Sequence, residues 1–310
     1  MTRPERRVPL PRWEGGSVVI EPPDNRAGSW AGAPSAVLVD GTFYLAYRLR
    51  HPVGEGRGYA NVVARSDDGV SFRTLTVVRK ETFGAESIER PALVVTPHRR
   101  WRLYVSAATP GSKHWRVDVL EADSPTRLHR ARPRTVLAGG ERTGVKDPVV
   151  VRAGGLWHLW ASCHPLEVPA DADRMTTRYA TSSDGIRWAW QGTALRGQAH
   201  RWDARGARVT SVLLDGRAPV AYYDGRASAA ENWEERTGIA TGAEPFGRFV
   251  PDCDQPPVAS PNPAGGLRYA SVVPLPDGAY RLYYEASRAD GTHELRTELW
   301  TSAGEVGCPC

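Results

Sequence analysis

Pro34-Ser-Ala-Val-Leu-Val-Asp40-Gly41-Thr-Phe43-Tyr-Leu-Ala-Tyr47, followed by Val62-Val-Ala-Arg-Ser66-Asp-Asp-Gly69-Val-Ser-Phe72, reads as one structural unit. An apolar strand passes through a tight Asp-Gly turn into an aromatic-rich strand, and a third strand closes on a Ser/Asp/Gly turn before an aromatic residue. Asp-Gly between two alternating runs is a hairpin signal, because the turn needs residues that tolerate positive φ. The same signal recurs at 215–216 and 277–278, with Gly154-Gly155 in an equivalent place.

The unit itself recurs. Further copies open at Pro91-Ala-Leu-Val-Val95, Pro148-Val-Val-Val151, Val209-Thr-Ser-Val-Leu-Leu214 and Ser271-Val-Val273. Openings at 34, 91, 148, 209 and 271 give a period of about 60 residues, and repeats of this length mean solenoids, propellers or arrays. Alternation at period 2, without a long run at period 3.6, excludes helical repeats. The prediction is an all-β, five-bladed β-propeller with four-stranded antiparallel blades. It forms one domain over 25–303, preceded by an N-terminal extension (1–24) and followed by a tail (304–310). A β-sandwich is the alternative, but sandwiches lack such even spacing.

Composition agrees with a turn-rich globular chain: 31 Gly and 25 Pro in 310 residues, yet 41% apolar, enough to fill a core. Lys and Arg total 40 against 35 Asp and Glu, and only Lys80, Lys113 and Lys146 are lysines. An arginine excess is either a compositional bias or a use of the planar donor fork for carboxylates and phosphates. No apolar run approaches a membrane span, and no apolar segment follows Arg3, Arg6 and Arg7, so the expected location is cytoplasmic. Four cysteines make no disulfide framework, and Cys308-Pro309-Cys310 reads as an untethered tail. Metal-ligand spacings are absent, no cofactor is expected, and no basic helix or RNA motif points to nucleic acid.

In a propeller the first strands converge on the axis and form a concave pocket at one end. The residues just before the five openings are Ala33, Arg90, Asp147, Arg208 and Ala270. Trp30, Glu86, Glu89, Lys146, Asp203, Arg205 and Arg268 stand near them. The ends of the second strands add Arg48, Ser106, Ser162, His164, Tyr223, Asp224 and Glu285. These charges either pair with one another to satisfy a polar channel or form a substrate site. His164 is a possible proton carrier without a visible partner, and no nucleophile elbow supports a Ser-His-Asp reading.

The chain resembles the five-bladed propeller glycosidases, in particular glycoside hydrolase family 43 with its relatives 32, 68 and 130. The resemblance rests on Lys146-Asp147-Pro148 and on the Ser-Asp-Gly closures at 183–188 and 66–72. Glu89-Arg90-Pro91 and Val220-Ala-Tyr-Tyr-Asp-Gly225 are similar to elements of family 130. It implies three axial carboxylates that divide protonation, activation and pKa tuning. Asp147 matches the tuning position, whereas the first-blade position is Ala33 and the fourth-blade stretch Arg205-Gly-Ala-Arg208 holds no Glu.

The expected function is therefore a glycoside hydrolase or phosphorylase acting on a small glycoside, neutral or anionic. Its acid would come from Glu89, Glu235, Asp203 or Asp224. Arg90, Arg205 and Arg208 would cradle an anion, with Trp30, His164 and Tyr223 contacting substrate. Two alternatives are a propeller that has lost hydrolysis and performs another reaction, and a non-catalytic carbohydrate binder using Trp30, Trp202 and Trp233 as stacking faces.

Overall fold

The computed structural model describes residues 8–214, 218–244, 246–256, 258–262 and 264–301. The Asp215-Gly216 turn and Cys308-Pro309-Cys310 lie outside them. At Asp40 and Gly41 φ is 50° and 77°, and at Gly154 and Gly155 it is 55° and 83°. Both pairs connect strands directly, Val39 facing Thr42 and Ala153 facing Leu156. Two consecutive positive φ values match the twist of the flanking strands, as the sequence predicts.

Among the described residues, twenty strands account for nearly all the regular structure. A short β1 (Ser17–Ile20) precedes β2 (Trp30–Val39), β3 (Thr42–Arg50), β4 (Gly58–Ser66) and β5 (Arg73–Arg79), which pair in order. A second antiparallel set is β6 (Ile88–Val95), β7 (Trp101–Ala108), β8 (Trp115–Ala122) and β9 (Arg134–Leu137). A third is β10 (Thr143–Ala153), β11 (Leu156–Pro165), β12 (Thr176–Ser182) and β13 (Ala189–Leu195). The fourth comprises β14 (Gly206–Leu213), β15 (Val220–Arg226), β16 (Arg236–Ala243) and β17 (Arg248–Pro251). The fifth comprises β18 (Leu267–Pro274), β19 (Tyr280–Ser287) and β20 (His293–Trp300). β1 pairs with β20. Residues 17–20, placed by the sequence reading in an N-terminal extension, thus cover the outer edge of the fifth set, whose own segment supplies only three strands.

The first strands pack in succession, β2 on β6, β6 on β10, β10 on β14, β14 on β18, and β18 back on β2. Apolar seams fill the spaces between consecutive sets. Val63, Ile88 and Leu103 join the first to the second, and Tyr104, Val117 and Leu159 join the second to the third. Leu45, Val62 and Tyr283 join the fifth to the first. Leu45 and Leu103 are fully buried, so truncating either to Ala costs about 2–5 kcal/mol.

The Ser/Asp/Gly turns lock the seams. Ser66 Oγ accepts from Gly69 N–H at 2.9 Å, and Ser182 Oγ accepts from Gly185 N–H at 2.8 Å. Tyr283 O–H then donates to the Gly69 carbonyl at 2.9 Å, and Tyr104 O–H to that of Gly185 at 2.7 Å. The aromatic residues of one set therefore hold the outer turn of the next. No helix among the described residues is long and apolar enough to cross a membrane.

Candidate functional site

Each first strand carries a bulge at the same place. The ladder slips between Gly32 and Ser35, Ile88 and Pro91, Lys146 and Val149, Val209 and Ser211, and Arg268 and Ser271. Two residues before each ladder resumes stand Ala33, Glu89, Asp147, Val209 and Tyr269. The axial set read from the sequence needs correcting by one residue in two places, where Arg90 and Ala270 had been aligned instead of Glu89 and Tyr269; in the fourth set Arg208 lines the cavity as expected and Val209 is buried in the core. In a strand a one-residue slip moves a side chain to the other face. Ala33, Asp147 and Tyr269 have φ of 52°, 53° and 55°. For a bulky residue such as Tyr269 that conformation is strained, a feature that collects at functional sites.

A cavity of about 460 Å³ opens at this end of the first strands. Eight cationic side chains line it against three carboxylates, Glu89, Asp173 and Glu235. Asp147, Asp224 and Glu285 stand behind the wall, fully buried.

Their pairing is dense. Arg48 bonds Glu89 and reaches Glu285 at 2.9 Å; Arg268 bonds Glu235 and reaches Glu285 at 2.7 Å. Arg208 reaches Asp224 at 2.7 Å and Asp147 at 3.3 Å, and Arg226 reaches Glu235 at 2.6 Å. Gly32 makes room for this network: a Cβ there would meet Glu285 Oε2 at 2.0 Å, while Ala33 N–H donates to that oxygen at 2.9 Å.

Three groups are less committed. Arg50 stacks on Trp30 with its guanidinium 3.9 Å from the ring centroid, comes no nearer than 3.9 Å to Glu89, and leaves Nε–H without a partner. Lys146 Nζ lies 3.7 Å from Asp147 Oδ2. Asp147 Oδ1 is buried with no hydrogen-bond partner, and Tyr269 O–H stands 3.5 Å from Oδ2.

Burial by itself would raise the Glu89 and Glu235 carboxyls. The opposing cations prevail, Arg48 and Lys146 at Glu89 and Arg268, Arg208 and Arg226 at Glu235, and hold both below the usual range. Asp147 behaves alike, lowered by Lys146 and Arg208 against its burial. The sequence reading makes Glu89 or Glu235 the proton donor. The arginines around them correct this, because a carboxylate held ionised carries no proton to give. Burial raises Asp224 to about 6, but it is sealed behind Arg208.

Other expected residues fall elsewhere. Arg90 points away from the cavity and donates to the carbonyls of Pro148 (3.2 Å), Pro34 (3.5 Å) and Thr210. It ties three first strands together and is unavailable to an anion. Arg205 is taken up by Asp173 at 2.6 Å and Asp171 at 3.5 Å and does not line the cavity. Asp203 accepts from Gln198 N–H at 3.0 Å and Tyr223 O–H at 3.2 Å, so neither it nor Tyr223 faces the cavity.

Trp30 cannot stack on a substrate ring, because Arg50 lies over it and His293 stacks on it at 4.3 Å. Trp202 is buried against Tyr223, whereas Trp233 lines the cavity and is exposed. His164 lines it too. Burial and the Lys146 charge push it down to about 3, so it is neutral. Its Nδ1–H donates to the Ala172 carbonyl at 3.0 Å, and Nε2 accepts from Ser162 at 3.2 Å.

Sequence reasoning missed Arg50 and Tyr269. Arg50 was accessible through strand alternation, since it shares a face with Arg48 two residues earlier. Tyr269 needed the bulge. No group of three or more His, Cys, Asp or Glu suited to a metal occurs among the described residues.

No family model matches the sequence, and no curated protein is similar to it in sequence. Solved structures are similar in fold. A structure from the family 130 of mannoside phosphorylases, with glycoside hydrolases that target β-1,2 mannosidic linkages in Candida mannan, superposes with a TM-score of 0.68 at 15% identity over 98% of this chain and 99% of that one. A thermostable family-43 glycoside hydrolase gives 0.68 at 13% identity over 90% and 93%. A β-1,2-mannobiose phosphorylase from Listeria innocua, in complex with β-1,2-mannobiose, gives 0.65 at 13% identity over 96% and 93%. The chain thus has the propeller fold of glycoside hydrolases and their phosphorylase relatives.

Proposed function

We propose that the chain forms a closed five-bladed propeller, one domain from Ser17 to the last described residue, Thr301, and that its axial cavity processes a small glycoside together with an anionic group. The observation that carries this reading is the charge of the cavity, eight cationic side chains against three carboxylates. With the three buried carboxylates behind the wall counted, cations still exceed acids. Such an excess in a recessed cavity favours a bound anion, because fixed donors gain strength where water is excluded.

The anion is either phosphate acting as attacking group or a charged substituent of the glycoside. Arg50, Lys146 and Arg208 would contact it. Asp147, buried behind the wall beside Lys146 and Tyr269, would accept a proton through them, and Tyr269 O–H would supply the donor that faces the substrate. Phosphorolysis suits this arrangement, because phosphate brings both negative charge and protons to a site whose own carboxylates are ionised.

The test is turnover of a disaccharide and aryl-glycoside panel with and without inorganic phosphate, read as sugar 1-phosphate and free sugar. Phosphate-dependent product, or cleavage confined to anionic glycosides, supports the reading. Cleavage of neutral glycosides independent of phosphate would replace it.

A second reading, a propeller without hydrolytic activity, is favoured by one observation: Glu89, Asp147 and Glu235 are all held ionised, whereas glycosidase chemistry needs one carboxyl kept protonated.

A further inference from the structure

Of the 40 cationic residues only three are lysines, and two of these, Lys113 and Lys146, line the axial cavity. An arginine in a protein keeps its proton, but a lysine can lose one and become a nucleophile. The repeat shows what is unusual about Lys146. It occupies the third position before its ladder resumes, where the fourth and fifth sets carry Arg208 and Arg268. Each of those arginines faces a carboxylate as its ladder partner, Arg208 with Asp224 and Arg268 with Glu285. Lys146 faces Ser162.

Its ammonium accordingly makes no hydrogen bond among the described residues. The nearest carboxylate oxygen, Asp147 Oδ2, is 3.7 Å away, and the Trp115 ring centroid is at 4.9 Å. The side chain is 15% exposed, toward the cavity.

We propose that Lys146 is a nucleophilic amine that captures the carbonyl carbon of an anionic aldehyde or ketone, such as a sugar phosphate in its open-chain form, as an imine. The inference rests on the anion preference of the cavity proposed above and not on glycoside turnover. Burial moves the Lys146 ammonium below the ordinary lysine range, against the pull of Asp147 and Glu89.

The step balances without an oxidant or reductant. The Lys146 ammonium gives a proton to water, the neutral amine attacks the carbonyl carbon, the N–C bond forms as the carbonyl π bond breaks, and the carbonyl oxygen takes that proton back to give a carbinolamine. One N–H proton passes to the Asp147 carboxylate. That proton then returns to the carbinolamine hydroxyl, the C–O bond breaks, water departs, and the nitrogen lone pair leaves the protonated imine, C=N–H+.

The experiment is reductive trapping. The full chain is incubated at pH 7.5 with glyceraldehyde 3-phosphate and cyanoborohydride, and adducts at the three lysines are quantified by peptide mass spectrometry. An ordinary lysine is only about 0.1% unprotonated at that pH. Lys146 should therefore label at least about tenfold faster than Lys80 and Lys113, and excess inorganic phosphate should suppress its labelling selectively. Unphosphorylated glyceraldehyde should label it more slowly. Lys113 is the control inside the same cavity, its Nζ donating to the Pro169 carbonyl at 3.3 Å.

In Lys146→Arg the cavity adduct should vanish while the thermal transition remains. Should that variant misfold, the comparison of three lysines in the unaltered chain still decides. Equal labelling of all three, or labelling of Lys146 indifferent to phosphate, overturns the proposal. Phosphate binding by calorimetry is measured alongside: binding with Lys146 unlabelled defeats the imine alone, whereas absent binding defeats the anion site on which it rests.

Discussion

Arg90 Nη1 donates to the carbonyl oxygen of Pro148 at 3.2 Å, from one first strand to its neighbour. The same guanidinium reaches the carbonyls of Pro34 and Thr210, so one side chain satisfies bulge carbonyls from three sets of strands. Replacing it by Met leaves those acceptors buried and unpaired. Arg90→Met should destabilise the fold by about 3 kcal/mol or more, measured by urea unfolding, with phosphate affinity unchanged in the folded fraction. A loss of anion affinity at unaltered stability would return Arg90 to the binding site.

Asp147 is the carboxylate on which the chemistry turns. Asp147→Asn keeps the shape, removes one negative charge beside Lys146 and Arg208, and should lower turnover at least about 100-fold. Anion binding should tighten a few-fold in the same variant, because the cavity becomes more positive. Far-UV circular dichroism checks that the strands persist, and full activity would exclude Asp147 from the mechanism.

Tyr269 places its phenol 3.5 Å from Asp147 Oδ2 and its ring 3.9 Å from the Arg208 guanidinium. Tyr269→Phe retains the ring and deletes the donor. Stability should change by less than about 1 kcal/mol, while kcat falls and KM stays nearly constant. An effect on stability alone would make the hydroxyl structural.

His164 predicts a pH dependence of folding. It titrates near 6.5 when unfolded but only at about 3 in the fold, where burial and Lys146 keep it neutral. Between those values the unfolded chain binds a proton that the folded chain refuses, so stability falls as pH drops from 6.5 toward 3. The loss at pH 5 is about 2 kcal/mol relative to pH 7. Thermal melts of His164→Asn should be flatter between pH 5 and 7 than those of the parent, and identical slopes would contradict the assignment.

The all-β character, the strands and their turns were legible from the sequence because each is a local signal. Asp40-Gly41 and Gly154-Gly155 turn where turns were expected, and Ser66 and Ser182 cap the outer loops. Which side chain reaches the axis was not local. It depends on a bulge that neither apolar periodicity nor turn chemistry announces, and the slip sent Arg90 to the far side of the bulge and brought Tyr269 in. Lys146-Asp147-Pro148 was read in register, because proline marks the bulge there. Trp30 was misjudged for another reason: an aromatic residue near the axis attracts cations as readily as sugars, and Arg50 already covers it.

The proposed chemistry of the cavity depends most on its binding an anion. Titration calorimetry with inorganic phosphate at low ionic strength tests it directly, with Arg50→Gln as the comparison. One site is expected, with a dissociation constant of about 1 mM or tighter, weakening as salt is added and at least about tenfold weaker in Arg50→Gln. No heat up to saturating phosphate, or binding that Arg50→Gln leaves untouched, would contradict it.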